Sequence, residues 1–225
     1  MTDKEIKFHP LWPDGPLFAQ AEHFRLSTDC VLLADFVNGD RAARGIDLGC
    51  ASGAIALLLL ARLPRLHMTG LEIQPAAARL AEENMAKNGF QERSRIVAGD
   101  IRRHRELFKT GSFDLVVSNP PYFPVGGGKS GGPTRSEIAC SLEDLCTAAG
   151  RLAKNGGRFA LCHRPERLAD VICALRAHGL EPKRLKLVSH APGYQPSLLL
   201  VEAVRQGRPG LKIEMAPSPG RHSFS

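Results

Sequence analysis

Four consecutive residues have types and an order that could do chemistry together. They are Asn119, Pro120, Pro121 and Tyr122, and they follow the apolar run Phe113-Asp114-Leu115-Val116-Val117-Ser118. An apolar strand cannot continue through two prolines, because each lacks a backbone donor and fixes φ. The chain must leave the sheet there in a preset turn, at the carboxyl end of a strand, where open α/β sheets bind ligands. The turn offers a carboxamide, carbonyls next to nitrogens without hydrogen, and an aromatic face. That set suits a planar amine. The Asn119 side-chain oxygen and the Pro120 carbonyl accept the two hydrogens of an –NH2 group, while Tyr122 stacks on the ring bearing it. Asn119, Pro120, Pro121 and Tyr122 are therefore the candidate catalytic residues. An ordinary strand-to-loop turn is the competing reading, and the glycine-rich turn upstream weighs against it.

The elements that must position this turn are readable on both sides of it. Gly45-Ile46-Asp47-Leu48 reads as a short strand, Gly49-Cys50-Ala51-Ser52-Gly53 as a small-residue turn, and Ala54 onward as a helix. Gly49 and Gly53 permit backbone angles or close approach that a side chain forbids, so a ligand can lie against the turn and the helix N-terminus. The next strand, Met68-Thr69-Gly70-Leu71, ends in Glu72 and Ile73; Glu72 lies 23 residues after Gly49, where a carboxylate accepts both hydroxyls of a ribose. A third strand, Arg95 to Ala98, ends near Asp100 and Ile101, with Asp100 placed to accept an adenine amino group. Ser27-Thr28-Asp29 before an apolar helical run is an N-cap signal. The amides of that helix end could face a carboxylate, and capping alone explains Thr28 and Asp29 equally well. The candidate cofactor-binding residues are thus Thr28, Asp29, Asp47, Gly49, Cys50, Ala51, Gly53, Glu72, Ile73, Asp100, Ile101 and Asn119.

The rest of the chain sets bounds. With 225 residues, 43% of them hydrophobic, it can bury one full core, and one domain is expected. The expected divisions are an N-terminal extension over 1–26, read as a loop with a short strand or hairpin, a main domain over 27–205, and a peripheral tail over 206–225. Pro75 to Asn88, Ser141 to Ala153 and Pro165 to His178 read as helices. Lys183–Val188 and Ser197–Val204 are joined by too few residues for a helical crossover, so they form an antiparallel pair. Five glycines between 125 and 133 suggest a mobile flap. Six cysteines without a Cys-x-x-Cys pair read as reduced core residues, and no metal site is expected. The charged start lacks the apolar segment of a signal peptide, and no run is long enough to span a bilayer. A cytoplasmic protein without membrane attachment is expected, and nothing in the sequence sets its oligomeric state. Residues 151–225 hold 13 Lys and Arg against 5 Asp and Glu, whereas residues 1–150 hold 17 against 18. The one-sided positive field points to phosphate backbone, with Arg164, Arg167, Lys183, Arg184 and Lys186 as candidate contacts. Arg102, Arg103, Arg105 and Lys109 read as a solvated face.

Six strands alternating with helices and a seventh inserted antiparallel resemble the doubly wound, seven-stranded α/β sheet of class I S-adenosylmethionine-dependent methyltransferases. Asp47-x-Gly49-x-x-x-Gly53, Glu72, Asp100 and Asn119-Pro120-Pro121-Tyr122 resemble its cofactor and amino-group motifs in chain order. Within that superfamily, Phe24-Arg25-Leu26-Ser27-Thr28-Asp29, Asn119 to Phe123, Arg135-Ser136-Glu137-Ile138 and His163 to Leu168 look like the bacterial valine-tRNA adenine methyltransferases. The resemblance covers about residues 17–205. It implies S-adenosylmethionine as cofactor, tRNA as substrate, and methyl transfer to the exocyclic amino nitrogen of the adenine 3′ to the anticodon. Ala51 departs from the family, which usually has glycine there, and Ser136 lies in a variable segment.

Three alternatives stay open on the residues alone. Protein-glutamine methylation uses the same turn, but such enzymes resemble chains with an added N-terminal helical domain. Ribosomal-RNA or DNA amino-group methylation is a second alternative, the DNA enzymes usually carrying a target-recognition domain. The third is a catalytically silent RNA-binding module, against which intact Asn119 and Tyr122 argue.

Overall fold

The computed structural model describes residues 6–20, 26–120 and 140–217. The chain opens with a two-residue pair, β1 (His9–Pro10) and β2 (Leu17–Phe18), antiparallel to one another. Helix α1 (Thr28–Phe36) is capped by the Ser27 side chain, which accepts from the Cys30 amide. There follow β3 (Arg44–Leu48), α2 (Ala54–Arg62), β4 (His67–Glu72), α3 (Pro75–Lys87), β5 (Ser94–Ala98), the short α4 (His104–Leu107) and β6 (Phe113–Ser118). The described chain resumes at Cys140 and runs through α5 (Leu142–Leu152), β7 (Ala153–His163), α6 (Leu168–Ala177), β8 (Leu180–Ser189), β9 (Leu198–Arg205) and β10 (Lys212–Pro217).

The main sheet has the order β10-β8-β9-β7-β6-β3-β4-β5, and only β9 runs against the others. A parallel sheet with helices on both faces buries its strands on both sides, which is why Leu115, Val116 and Val117 are apolar in succession and all buried. One core packs α1 and α2 against Leu115 and Val117 of β6; the other packs α5 and α6 against Ile46 and Leu48 of β3 and Val116 of β6. Among the described residues no helix is long and apolar enough to cross a membrane, and no His, Cys, Asp and Glu group could hold a metal ion.

Two features differ from the sequence expectation. Strand β7 starts at Ala153, and Asn155-Gly156-Gly157, which in the sequence reads as the stop between the helix ending at Ala153 and a strand from Arg158 to Cys162, forms a bulge inside β7 instead. Gly156 takes φ +77°, and a Cβ on Gly157 would lie 2.8 Å from the Lys154 carbonyl oxygen. Part of the expected tail is also in the sheet: β10 pairs in parallel with β8, from Lys212 opposite Arg184 to Pro217 opposite Ser189.

The N-terminal pair is held to the main body by two asparagines of α3. Asn88 accepts from the Leu17 amide and donates to the Leu17 carbonyl, both at 2.7 Å. Asn84 accepts from the Ala19 amide at 2.7 Å and donates to the carbonyls of Ala19 and Ser52 at 3.0 and 2.9 Å. A carboxamide satisfies backbone groups as a neighbouring strand would. Asn84 is wholly buried, so Asn84→Ala orphans backbone groups that water cannot reach. A loss of about 2–4 kcal/mol in urea denaturation is expected; unchanged stability would mean the extension contributes nothing to the fold.

Candidate active site

The turn between β3 and α2 bends through left-handed backbone at three residues: Gly49 at φ +76°, Ala51 at +48° and Gly53 at +83°. The glycines adopt this freely and alanine does not. The Ala51 amide donates to Glu72 Oε2 at 2.8 Å, and the Gln74 amide donates to Glu72 Oε1 at 2.8 Å. Glu72 is thereby a buried anchor for the turn as well as a strand-end acid. Gly53 also admits α3: a Cβ there would meet Met85 Cε at 2.9 Å and Ala81 Cβ at 3.1 Å. At Gly49 a Cβ would meet, among the described residues, only Ile101, at 3.9 Å, so close packing is not what requires a glycine there.

Asp47 is completely buried, and among the described residues its carboxylate oxygens have no well-formed hydrogen bond, only a weak one from the Ala56 amide. Burial above all, and then the negative charge of Glu72, push its pKa from 3.8 up to about 8, against a weaker pull from the Ala56 amide. Among the described residues no cation lies against these two buried acids. Cys50 beside them is held as a thiol, since burial and the same two acids raise its pKa well above 9.0.

The end of β6 lies next to this turn. Ser118 Oγ donates to the Leu48 carbonyl at 2.7 Å, so the residue before Asn119 is tied to the residue before Gly49. The Asn119 carboxamide is then fixed between two sulfurs. Its Oδ1 accepts from Cys162 of β7 at 3.0 Å, and its Nδ2 donates to Cys30 of α1 at 3.2 Å. The second contact brings the first turn of α1, with Thr28 and Asp29, to the same edge of the sheet. Pro121, Tyr122, the glycine-rich segment, and Phe24-Arg25 and Arg135 to Ile138 lie outside the described residues.

Sequence reasoning took all six cysteines as core residues and missed these contacts. Cys162 is 43 positions from Asn119 and Cys30 is 89 away, and only the adjacency of β6 to β7 and the packing of α1 bring them in. Cys173 is exposed, contrary to expectation, because it lies on the outer side of α6.

Other expected residues have roles the sequence did not give them. Asp100 caps a 3-10 turn by accepting from the Arg102 amide, and its carboxylate takes both Arg102 Nε and Nη2. Those bonds, the side-chain ones foremost, lower its pKa. Ile73 is 44% exposed directly after Glu72, an apolar surface at the mouth of the site. The basic third is partly consumed by the fold. Arg184 lies 3.6 Å from buried Glu202, stacks on Phe36 and donates to the Phe36 carbonyl. Lys183 holds the carbonyls of Arg208 and Pro209, and Arg167 pairs with Asp170. Lys183 and Arg184, expected as phosphate contacts, are thus each engaged with groups of this chain. His163, buried at the end of β7, is neutral at physiological pH, since burial and Arg167 push its pKa down to about 4. A cavity of about 660 Å³ opens at the opposite, amino ends of β3 and β6. Its Lys154 is paired to Asp114 and its Arg158 to Glu202, and Asp40 and Arg41 also line it.

This fold and site define a methyltransferase. Residues 23–170 match the family model described as Methyltransferase small domain, and the chain belongs to that family. A tRNA1(Val) (adenine(37)-N6)-methyltransferase from Porphyromonas gingivalis is 35% identical over 187 residues, covering 79% of this chain and 73% of the relative. Its counterpart from Bacteroides thetaiotaomicron is 30% identical over 207 residues, covering 89% and 85%. Within the small-domain class, the chain belongs to the tRNA1(Val) (adenine(37)-N6)-methyltransferase family. Among solved structures, a predicted O-methyltransferase from Agrobacterium tumefaciens is 25% identical, with a TM-score of 0.72 over 88% of this chain and 91% of that one. A geranyl diphosphate C-methyltransferase from Streptomyces coelicolor, solved with S-adenosyl-L-homocysteine, shares the fold at 14% identity and a TM-score of 0.58, over 78% and 79%.

Two outcomes follow from this geometry. Folding raises the Asp47 pKa, so the folded chain binds this proton more tightly than the unfolded one. Stability is then undiminished below about pH 4 and declines as pH rises toward about 8. Urea denaturation across that window should show a fall on the order of a few kcal/mol in the ligand-free protein, and Asp47→Asn should flatten it. Equal slopes in both proteins would show that Asp47 is ionised throughout. Separately, Ala51→Gly should raise stability by about 0.5–1 kcal/mol by relieving the left-handed alanine; a loss would mean the Glu72 bond has already absorbed the strain.

Proposed function

We propose that this chain transfers a methyl group from S-adenosylmethionine to the exocyclic amino nitrogen of an adenine in tRNA, the adenine next to the anticodon of a valine tRNA. The observation that carries the reading is the Asn119 carboxamide, held in one orientation at the carboxyl end of β6 and tied through Ser118 to the turn that carries Asp47 and Glu72. The residues present fit the cofactor. Its ammonium and sulfonium are the positive charges that the Asp47 and Glu72 pair lacks among the described residues. Each carboxylate oxygen of Glu72 holds one backbone amide and has capacity for a ribose hydroxyl as well. Among the described residues, the space beside Gly49 and the exposed face of Ile73 leave room for a flat ring.

When bound, S-adenosylmethionine supplies an electrophilic methyl, so the protein's task is to aim the amine. The lone pair of an aromatic amine is delocalised into its ring. Asn119 Oδ1 and the Pro120 carbonyl accept the two amine hydrogens and favour a more tetrahedral, nucleophilic nitrogen. A carbonyl oxygen accepts two hydrogen bonds, so the one from Cys162 does not by itself exclude the amine. No general base need act before transfer: the sulfonium leaves as the neutral thioether S-adenosylhomocysteine, and the methylated nitrogen, then cationic, gives up one hydrogen as a proton to water. The base must be unstacked to reach this edge, and anticodon-loop bases are extruded at low cost. Tyr122 replaces the lost stacking with roughly 1–3 kcal/mol. The hydroxyl acceptor in the name of the Agrobacterium protein would need a base to take its proton. A carboxamide and a carbonyl are acceptors but not bases, and they favour nitrogen.

The reading is tested by mass spectrometry of tRNA nucleosides from cells with and without the gene, followed by digestion to locate the methyl. Loss of N6-methyladenosine at one anticodon-adjacent position is expected. In single-turnover assays with saturating enzyme, Asn119→Ala should slow methylation by a factor on the order of a hundred and leave cofactor and tRNA binding little changed. An unaltered rate would remove Asn119 from the reaction and the amino-group mechanism with it.

A further inference from the structure

Strand β10 is the outermost strand of the sheet, and among the described residues nothing pairs with its outer edge. An open edge is a template for another strand, and proteins usually blunt it with like charges, proline or a bulge. Here it is presented with apolar side chains. Leu211, Ile213 and Met215 are 41%, 64% and 76% exposed. Ile213 and Met215 lie opposite Leu185 and Leu187 of β8, so the apolar side of β10 extends the face that packs on α5 and α6. Lys212 and Glu214 point to the other face, opposite Arg184 and Lys186.

From this pattern we infer that β10 pairs with the β10 of a second copy of the same chain, antiparallel, about a two-fold axis through Ile213. In that register Ile213 meets its own copy, Leu211 meets Met215, and Lys212 meets Glu214 twice. Pro217, the last residue of β10, has no amide hydrogen, and one copy of it bounds the pairing at each end. The next registers of the same facial parity are worse. An axis through Lys212 or Glu214 sets that charge against itself, and like charges directly opposite are destabilising. A one-residue slip between the two copies puts apolar against charged side chains on both faces. One register is thus selected by both charge and apolarity. Because the two strands are antiparallel, the carboxyl edges of the two sheets point in opposite directions. Each copy keeps its own complete site, and methyl transfer does not depend on the pairing.

A five-residue strand pair is a small interface, so the expected state is a concentration-dependent equilibrium between monomer and dimer. Sedimentation equilibrium on the full chain tests it. Ile213→Lys places a charge on the axis and should give a monomer, with the melting temperature of the wild type at concentrations where the wild type is itself monomeric, because Ile213 is exposed. Lys212→Glu and Glu214→Lys should each weaken self-association by roughly tenfold, and mixing these two variants should restore dimers, now mixed. A wild-type chain that stays monomeric to about 1 mM overturns the proposal, whether residues of the same chain or another protein then cover the edge. So does a dimer that all three substitutions leave intact.

Discussion

Glu72 is the constraint on which the carboxyl edge of the sheet depends. Its two oxygens take amides from opposite sides, one from the turn after β3 and one from the start of α3. Hydrogen bonds to an ionised acceptor are about twice as strong as neutral ones, so one side chain holds a left-handed alanine that costs on the order of 1–2 kcal/mol. From the far side, buried Asn84 of α3 grips the Ser52 carbonyl. The turn is therefore clamped between β4 and α3 before any ligand arrives. The close fit continues below it, where a Cβ on Gly70 would stand 2.6 Å from Cys50 Sγ.

The same edge explains why thiols flank Asn119. A thiol is a weak donor and a weak acceptor. It can set the plane of a carboxamide yet compete little with an amine for the same oxygen, whereas a hydroxyl would bind that oxygen more tightly. A thiolate near a methyl donor would be a rival nucleophile. Burial raises the Cys30 pKa above 9.0 and outweighs the hydrogen bonds from Ser27 and Asn119 that lower it, so Cys30 remains neutral. Orientation is obtained without adding a reactive group.

Much of this architecture is written in local pattern, because local physics decides it. Two successive prolines end β6, glycines allow the turn after β3, and Ser27 and Ser141 cap the helices that follow them. The parallel direction of β3 to β7 follows from the helical connections between them, and the short link between β8 and β9 forces their antiparallel pairing. What the sequence hides is decided by distant neighbours. Nothing near Arg184 shows that buried Glu202 and the Phe36 ring will claim it, and nothing near Cys162 shows that Asn119 will be its acceptor. Strand β10 is hidden for another reason. A short basic segment between prolines and glycines has little strand character of its own, and it enters the sheet because β8 presents a matching edge.

Asp100 is held by Arg102 through a contact weak enough to be exchanged for another. Arg102 holds its carboxylate through side-chain bonds of 3.0 and 2.9 Å from Nε, in a pair where Arg102 is half exposed. Exposed ion pairs are worth about 0–1 kcal/mol, because water solvates both charges when they part. On the proposed reading of the site, an adenine amino group that takes one Asp100 oxygen displaces part of the Arg102 contact at small cost. The amide bond that caps the 3-10 turn is a separate contact and can remain throughout. Lowering of the Asp100 pKa by Arg102 keeps the carboxylate ionised, the form that accepts an amino hydrogen. The arginine holds the acceptor in place and in the right charge state, and its own attachment is weak enough to yield.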